Sequence, residues 1–156
     1  MESGMQMKTA GEVQKERTRE LEEKAVELLS RCDVLTITSI NEDGYPRTCL
    51  VSKLKADGFA DIYLETSKRS ELNGKATHFE RCTKASVCFF QGGDSVTLIG
   101  DVTIIGEPSE KKAFAELCNK NFFKKGIEDP KHRLLKFHTT EATFWICGKF
   151  RTCKYR

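Results

Sequence analysis

The sequence predicts one mainly β domain, a β-barrel of six to seven antiparallel strands with flanking helices. Short apolar segments with strand-like alternation recur along the chain, and turn-forming dipeptides separate them at Asp43-Gly44, Asp57-Gly58 and Gly92-Gly93. The helical stretches between them are too few for a doubly wound α/β sheet. The length of 156 residues fits a single domain, residues 1–156, in which we expect residues 1–11 to be a flexible N-terminus.

The first half of the chain predicts a helix followed by an antiparallel meander. Residues 12–31 form an amphipathic helix, because apolar residues recur at helical spacing at Leu21, Ala25, Leu28 and Leu29. Three strands follow at residues 33–40, 47–54 and 60–66. A short helix is expected next, before a nearly continuous apolar run at residues 84–91 that predicts a buried strand.

The second half predicts a long strand, a helix and three shorter strands. Residues 95–107 form the long strand, in which Gly100 marks a bulge or a bend. Ser109 is placed to cap a helix that runs to about residue 121, with an inner face formed by Phe114, Leu117 and Cys118. Strand patterns follow at residues 134–138, 142–146 and 149–155.

Composition and charge exclude several classes of protein. Lys and Arg number 26 against 23 for Asp and Glu, and this net charge of +3 does not by itself indicate nucleic-acid binding. The N-terminal residues contain no apolar signal region, and no run of 18 apolar residues occurs. We therefore expect a cytoplasmic protein that binds neither nucleic acid nor membrane.

The cysteine pattern predicts neither disulfides nor a metal site. Seven cysteines are present, none lies in a CxxC pair, and the three histidines are scattered along the chain. Such a number of thiols fits a reducing compartment.

Arg47 stands at the start of the second predicted strand. Asp43-Gly44 supplies a tight turn, and Pro46 cannot donate to a sheet ladder, so extended structure begins near Arg47. Alternation places Cys49 on the face of Arg47, and Thr48 and Leu50 on the other face. Arg47 is then either the solvated end of an edge strand or a charge positioned for an anion.

A dense group of hydrogen-bond donors follows the third strand. Its members are Thr66, Ser67, Ser70, Asn73 and Lys75. At a strand-to-helix junction these side chains, together with backbone N–H groups, are suited to an anion, although for this group alone helix capping and solvation are the favoured explanation. Because Arg47 begins the neighbouring strand, donors from two adjacent elements are able to converge on one phosphate.

Several segments, in order, resemble one family. They include "DGYPRTCLV", "IYLETSKRS", "THFERCTKASVCFF", "VTLIGDVTII" and "ATFWICGKF". Over residues 21–155 the chain resembles the FMN-binding split barrels related to pyridoxamine 5′-phosphate oxidase, especially the general stress protein 26-like members. This resemblance implies a split-barrel fold and a homodimer that binds FMN between its protomers.

The resemblance also implies site residues. The FMN phosphate is expected to be held by Arg47, Thr66, Ser67, Ser70, Asn73 and Lys75. Either Ser70 or Asn73 takes the serine position of the family's phosphate site. The residues Thr48, Cys49 and Leu50 would present backbone to the isoalloxazine, while Trp145 covers the flavin bound mainly by the other chain and Arg151 lies near the ligand's outer edge.

Departures from the family pattern limit the predicted activity. Cys153 stands where the true oxidases have a substrate-site His, two positions after the residue matched by Arg151. Their Lys at the end of the second strand and their phosphate-binding helix have no clear counterpart. We therefore expect an FMN-dependent oxidoreductase that uses an unidentified small substrate or a nicotinamide reductant, and not a true pyridoxamine-phosphate oxidase. The alternative is a stress or sensor protein that binds flavin or another ligand without turnover, and no catalytic side chain is assigned.

Overall fold

A computed structural model of the chain describes residues 4, 6–67 and 75–155, with Lys75 and Ala76 described by their backbone only. In these residues the strands are β1 (Val34–Ile40), β2 (Pro46–Asp57), β3 (Asp61–Ser67), β4 (Lys84–Gln91), β5 (Asp94–Ile105), β6 (His132–Ile146) and β7 (Lys149–Lys154). The helices are α1 (Ala10–Ser30), α2 (Lys75–Arg81) and α3 (Pro108–Lys112), with a 3-10 turn at Gly126–Glu128. No helix in the described ranges is long and apolar enough to cross a membrane.

The strands form a closed antiparallel barrel. Their order in the sheet is β3-β2-β1-β4-β5-β6-β7, and β3 pairs with β6 as well as with β2. This second pairing closes β1 to β6 into a ring, while β7 extends the sheet beside β6. The prediction of a mainly β barrel with six to seven antiparallel strands is confirmed.

The core consists of the inward-facing side chains of the barrel and one stripe of α1. Inner residues such as Ile37, Leu98 and Phe144 are fully buried. The stripe of α1 expected from the sequence is buried at Leu21, Ala25, Leu28 and Leu29. The helix begins at Thr9, whose side chain accepts from the backbone N–H of Glu12 while the Glu12 carboxylate accepts from the N–H of Thr9.

The predicted irregularity at Gly100 is a β-bulge, with its extra residue on the facing strand. Ile99 pairs with Glu141 and Gly100 pairs with Thr139, which leaves Thr140 as the additional residue of β6. A Cβ at Gly100 would lie 1.9 Å from the carbonyl oxygen of His138. Glycine is therefore required here by the close approach of β6.

The bulge also explains an error in the predicted strands. Residues 134–138 and 142–146 were expected to be separate strand patterns, but both belong to β6. The polar groups are satisfied within the sheet: the hydroxyl of Thr139 donates to the Phe59 carbonyl, and that of Thr140 donates to the Ile99 carbonyl.

The predicted helix over residues 109–121 is wrong in extent and in its cap. The helix α3 ends at Lys112, and Glu107 rather than Ser109 is its N-cap. The following turns are held by Asn119, whose side chain accepts from the backbone N–H groups of Asn121 and Phe122 and so competes with a continued helix. Of the predicted inner face, Phe114 and Cys118 are buried and Leu117 is exposed.

Candidate functional site

The structure places Arg47 at the end of the barrel that α2 covers. Arg47 lies opposite Ser39 in the β1–β2 ladder. Ser39 is buried, and its hydroxyl lies 2.7 Å from Nδ1 of His78 in α2. This hydrogen bond fixes α2 against β1, so that Arg47 and the helix that begins at Lys75 occupy the same end of the barrel.

The electrostatic field at this end is positive. Burial lowers the pKa of His78 below its ordinary value, and the nearby guanidinium groups of Arg47 and Arg81 lower it further. The Glu42 carboxylate acts in the opposite direction and forms an ion pair with Arg81. Cationic side chains from β2 and α2 therefore surround a neutral imidazole, an arrangement that favours an added anion.

Three of the predicted site residues line one cavity. The ladder between β2 and β3 runs from the Ser52–Glu65 pair toward the turn at Gly58. Next to this ladder end lies a cavity of about 230 Å³ with Leu50, Thr66 and Ser67 in its wall. Its other wall is formed by the segment between α3 and β6, at Asn119, Phe122 and Phe123.

Thr48 and Cys49 lie on opposite faces of β2, as strand alternation predicts. The Thr48 hydroxyl lies 2.7 Å from the Thr38 hydroxyl on the outer surface of the barrel. Cys49 is half-buried, and its thiol donates to the Ile37 carbonyl at 3.7 Å. The backbone of this part of β2 is paired with β1.

The outer surface of the sheet carries exposed large apolar side chains. We call this set the outer apolar face: Val34, Leu50, Phe90, Ile99, Trp145 and Phe150. Leu50 is 68% exposed, and Trp145 is 47% exposed with its ring centroid 5.9 Å from that of Phe150. One transverse row of paired residues crosses six strands of this surface: Leu50, Thr36, Cys88, Thr97, Thr143 and Thr152. The surface between Leu50 and Trp145 is therefore a mixture of hydroxyl and apolar groups.

Trp145 and Arg151 lie on opposite faces of the β6–β7 hairpin. Trp145 pairs with Phe150 on the outer face, whereas Arg151 pairs with the fully buried Phe144. The guanidinium of Arg151 reaches α1, where the side-chain oxygen of Gln14 accepts from Nη2 at 3.0 Å. A ligand on the outer apolar face thus meets Trp145 without meeting Arg151.

A single chain also separates Trp145 from the other candidates. Leu50 and Trp145 belong to β2 and β6, which the closed barrel separates by β1, β4 and β5 on one side and by β3 on the other. Ser70 and Asn73 lie outside the described residues, and of Lys75 only the backbone is described.

Sequence patterns did not reveal a buried polar cluster at Glu65, Cys118 and His132. Oε2 of Glu65 lies 3.0 Å from Nε2 of His132, and the backbone N–H of Asn119 donates to both carboxylate oxygens at 3.3 Å. One signal was available, since Glu65 is a charged residue within the apolar pattern of β3 and proves to be buried. The pairing itself depends on tertiary folding, because the three residues are far apart in the sequence.

The buried environment of this cluster favours the neutral forms of Cys118 and His132. Burial raises the pKa of the Cys118 thiol to about 12, and Glu65 adds to this effect. Burial lowers the pKa of His132 despite the opposing influence of Glu65. The ring of Phe123 packs edge-on against that of His132, with centroids 4.8 Å apart.

The fold and site together define a small antiparallel barrel with a cationic end and an exposed apolar flank. Residues 21–146 match a sequence model of the family described as pyridoxamine 5′-phosphate oxidase. The chain belongs to the pyridoxamine 5′-phosphate oxidase family. A comparison with curated proteins gives no match.

Solved structures with the same fold have several names. A Clostridium acetobutylicum protein related to general stress protein 26 of B. subtilis has a TM-score of 0.76 at 20% identity, covering 86% of this chain and 94% of that one. General stress protein 26 of Bacillus anthracis has a TM-score of 0.67 at 18% identity, covering 86% and 98%. A heme-binding protein of Mycobacterium smegmatis has a TM-score of 0.68 at 14% identity, covering 86% and 57%. At these identities the likeness concerns the fold.

Proposed function

We propose that the protein is a homodimeric FMN-binding oxidoreductase that acts on a small substrate or accepts electrons from a nicotinamide. The observation that carries this proposal is the cationic barrel end at Arg47 beside α2, next to the exposed Leu50 of the outer apolar face. Flavin mononucleotide has a dianionic phosphate that fits the cationic end and a large planar ring that fits the apolar surface. The thiol content of the chain supports a cytoplasmic location.

The side chains present fit the chemical groups of FMN. The Arg47 guanidinium neutralises phosphate charge, and the hydroxyls of Thr66 and Ser67 are hydrogen-bond donors at the neighbouring cavity. Leu50 supplies an apolar surface against which an aromatic ring packs. When bound, FMN supplies the redox chemistry, while the chain binds and orients it and excludes water.

The exposed apolar surface supports the homodimer. Several exposed large apolar side chains on the outer surface of one sheet are typical of an interface. Two-fold pairing of the outer apolar faces buries Leu50, Phe90 and Trp145 together. It also brings Trp145 of one chain toward Leu50 of the other.

A second candidate function is binding of flavin or haem without turnover. It is favoured by the structural likeness to the heme-binding protein of Mycobacterium smegmatis. In addition, His78 is hydrogen-bonded and buried, which suits a structural role better than general acid or base catalysis.

Absorption spectra of the purified protein distinguish these functions. We expect the two visible bands of oxidised flavin after purification or after addition of FMN, and bleaching of these bands by NADH or NADPH without oxygen. Flavin bands that persist with both nicotinamides and with other reductants support binding without turnover. A Soret band after addition of haem, together with no FMN binding, would overturn the proposal.

Light scattering measures the mass of the protein in solution. A monomer at the concentrations at which FMN binds would contradict the shared site.

A further inference from the structure

The cluster of Glu65, Cys118 and His132 joins three distant parts of the chain inside the protein. Glu65 belongs to β3, His132 begins β6, and Cys118 lies in the segment that connects α3 to β6. All three are buried, and one potential metal-ligand atom from each lies within 4.8 Å of the others. A tetrahedral zinc site has bonds of about 2.0–2.3 Å, which place its ligand atoms about 3.3–3.6 Å apart. Small side-chain movements therefore bring the cluster to that geometry.

Hydrogen bonding alone leaves the cluster incompletely satisfied. The His132 side chain is fully buried, and its Nδ1 atom has no hydrogen-bond partner among the residues described. The Glu65 carboxylate is buried as well, and no Lys or Arg nitrogen of the described chain forms an ion pair with it. Leaving Nδ1 of the buried imidazole without a partner is unfavourable, and the hydrogen bonds within the cluster do not remove that cost.

We propose that Glu65, Cys118 and His132 bind one divalent cation of the zinc class. A carboxylate, a thiolate and an imidazole are all zinc ligands, and together with Zn²⁺ they form a neutral group. Of the three residues, Glu65 also lines the cavity between β2, β3 and the α3–β6 segment. The ion ties that segment to the barrel.

Ion binding has a defined proton balance. The bond between Sγ of Cys118 and the metal replaces the S–H bond, and the thiol proton leaves to solvent. His132 binds as a neutral imidazole through one of its ring nitrogens, so it neither gains nor loses a proton. One proton is released for each ion bound.

The test titrates Co²⁺ into the metal-stripped full-length protein. We expect one Co²⁺ per chain, a thiolate-to-cobalt charge-transfer band, release of about one proton per ion, and displacement by Zn²⁺. Cys118→Ala should lose the charge-transfer band. Cys147→Ser is the matched control, because Cys147 is an exposed thiol at the β6–β7 turn and its loss should leave the band intact.

A second measurement separates a metal site from a folding defect. Zn²⁺ should raise the unfolding temperature of the wild type and of Cys147→Ser, while that of Cys118→Ala should not respond. Glu65→Gln should weaken Co²⁺ binding by more than about tenfold.

Two outcomes overturn the proposal. The first is a wild-type chain that binds no Co²⁺ at millimolar concentration. The second is a zinc-edge X-ray absorption spectrum of the zinc-loaded wild type that shows no sulfur ligand or more than one. Because this spectrum uses the wild type, it tests the predicted single sulfur ligand even if Cys118→Ala fails to fold. Neither readout involves flavin, so this site and the proposed function fail independently.

Discussion

The hydroxyl of Ser39 and Nδ1 of His78 lie 2.7 Å apart, and this buried contact ties α2 to β1 directly beside Arg47. The contact orients the imidazole while leaving its Nε2 atom buried without a hydrogen-bond partner among the described residues. Arg47 and Arg81 act on the same ring. The barrel end therefore combines a rigid connection with a positive field, and both properties lead to measurable consequences.

Arg47→Ala should weaken FMN binding by about ten- to a hundredfold, because a charge-assisted contact to phosphate contributes about 1.5–3 kcal/mol. Riboflavin has no phosphate, so its affinity should change much less. We expect the same selectivity for Lys75→Ala. Calorimetric titration of both ligands measures the effect, with Arg17→Ala on the exposed surface of α1 as the control. Equal losses for FMN and riboflavin would contradict a role in phosphate binding.

The unfolding free energy should decrease as the pH falls from about 7.5 to about 5.5, partly because of His78. The folded state lowers the pKa of His78 through burial and then through Arg47 and Arg81, with Glu42 opposing. As the pH falls below the pKa that His78 has in the unfolded chain, the unfolded state binds more protons at this residue than the folded state does. Protonation of His78 therefore favours unfolding. Urea denaturation across this pH range should show a smaller decrease for His78→Gln than for the wild type. If the decrease is equally large in His78→Gln and in the wild type, His78 does not contribute to the loss of stability.

Local patterns predicted the elements whose structure is determined locally. The turn at Gly44 has a φ of 83°, in the left-handed region that Asp-Gly dipeptides favour. Residues 84–91 form β4 as expected, and alternation correctly placed Cys49 and Leu50 on opposite faces, of which that of Leu50 is exposed. These features depend on residue type and neighbour spacing alone.

The structural features that the sequence patterns did not predict depend on tertiary contacts. The polar residues of β6 remain extended because Thr139 finds a partner in the β2–β3 turn and Thr140 finds one on β5, which no local pattern reveals. Likewise, Glu65 and His132 meet only because β3 pairs with β6 and closes the barrel. The family resemblance supplied candidate residues around Arg47, but the position of Arg151 against α1 depends on the packing of the β6–β7 hairpin.

Gly100→Ala should lower the unfolding free energy by about 1–3 kcal/mol, because overpacking against a backbone atom forces the strands to shift. The new Cβ would lie 1.9 Å from the His138 carbonyl oxygen. Gly106→Ala is the matched control, since nothing lies within 4 Å of a Cβ at that position. Chemical denaturation compares the two variants. Similar stability for both would mean that the bulge adjusts without cost.

Pyridoxamine and pyridoxine 5′-phosphate should not reduce the flavin at a useful rate. Cys153 stands where the resemblance leads us to expect a substrate-site His, and it pairs with the buried Ala142 and packs against the core. A thiol in this position does not replace an imidazole that contacts substrate. Anaerobic mixing with either compound should leave the absorbance of oxidised flavin unchanged. Rapid bleaching would show that other residues perform this role.

The shared site predicts complementation between two defective chains. Each homodimer of Arg47→Ala or of Trp145→Ala has two damaged sites, whereas a heterodimer has one intact site and one with both defects. Random exchange should therefore restore FMN binding to about a quarter of all sites. Arg47→Ala mixed with Lys75→Ala is the control, since each site of that heterodimer keeps one defect. Native mass spectrometry verifies the exchange, and heterodimers without any restored binding would show that Trp145 does not act across the interface.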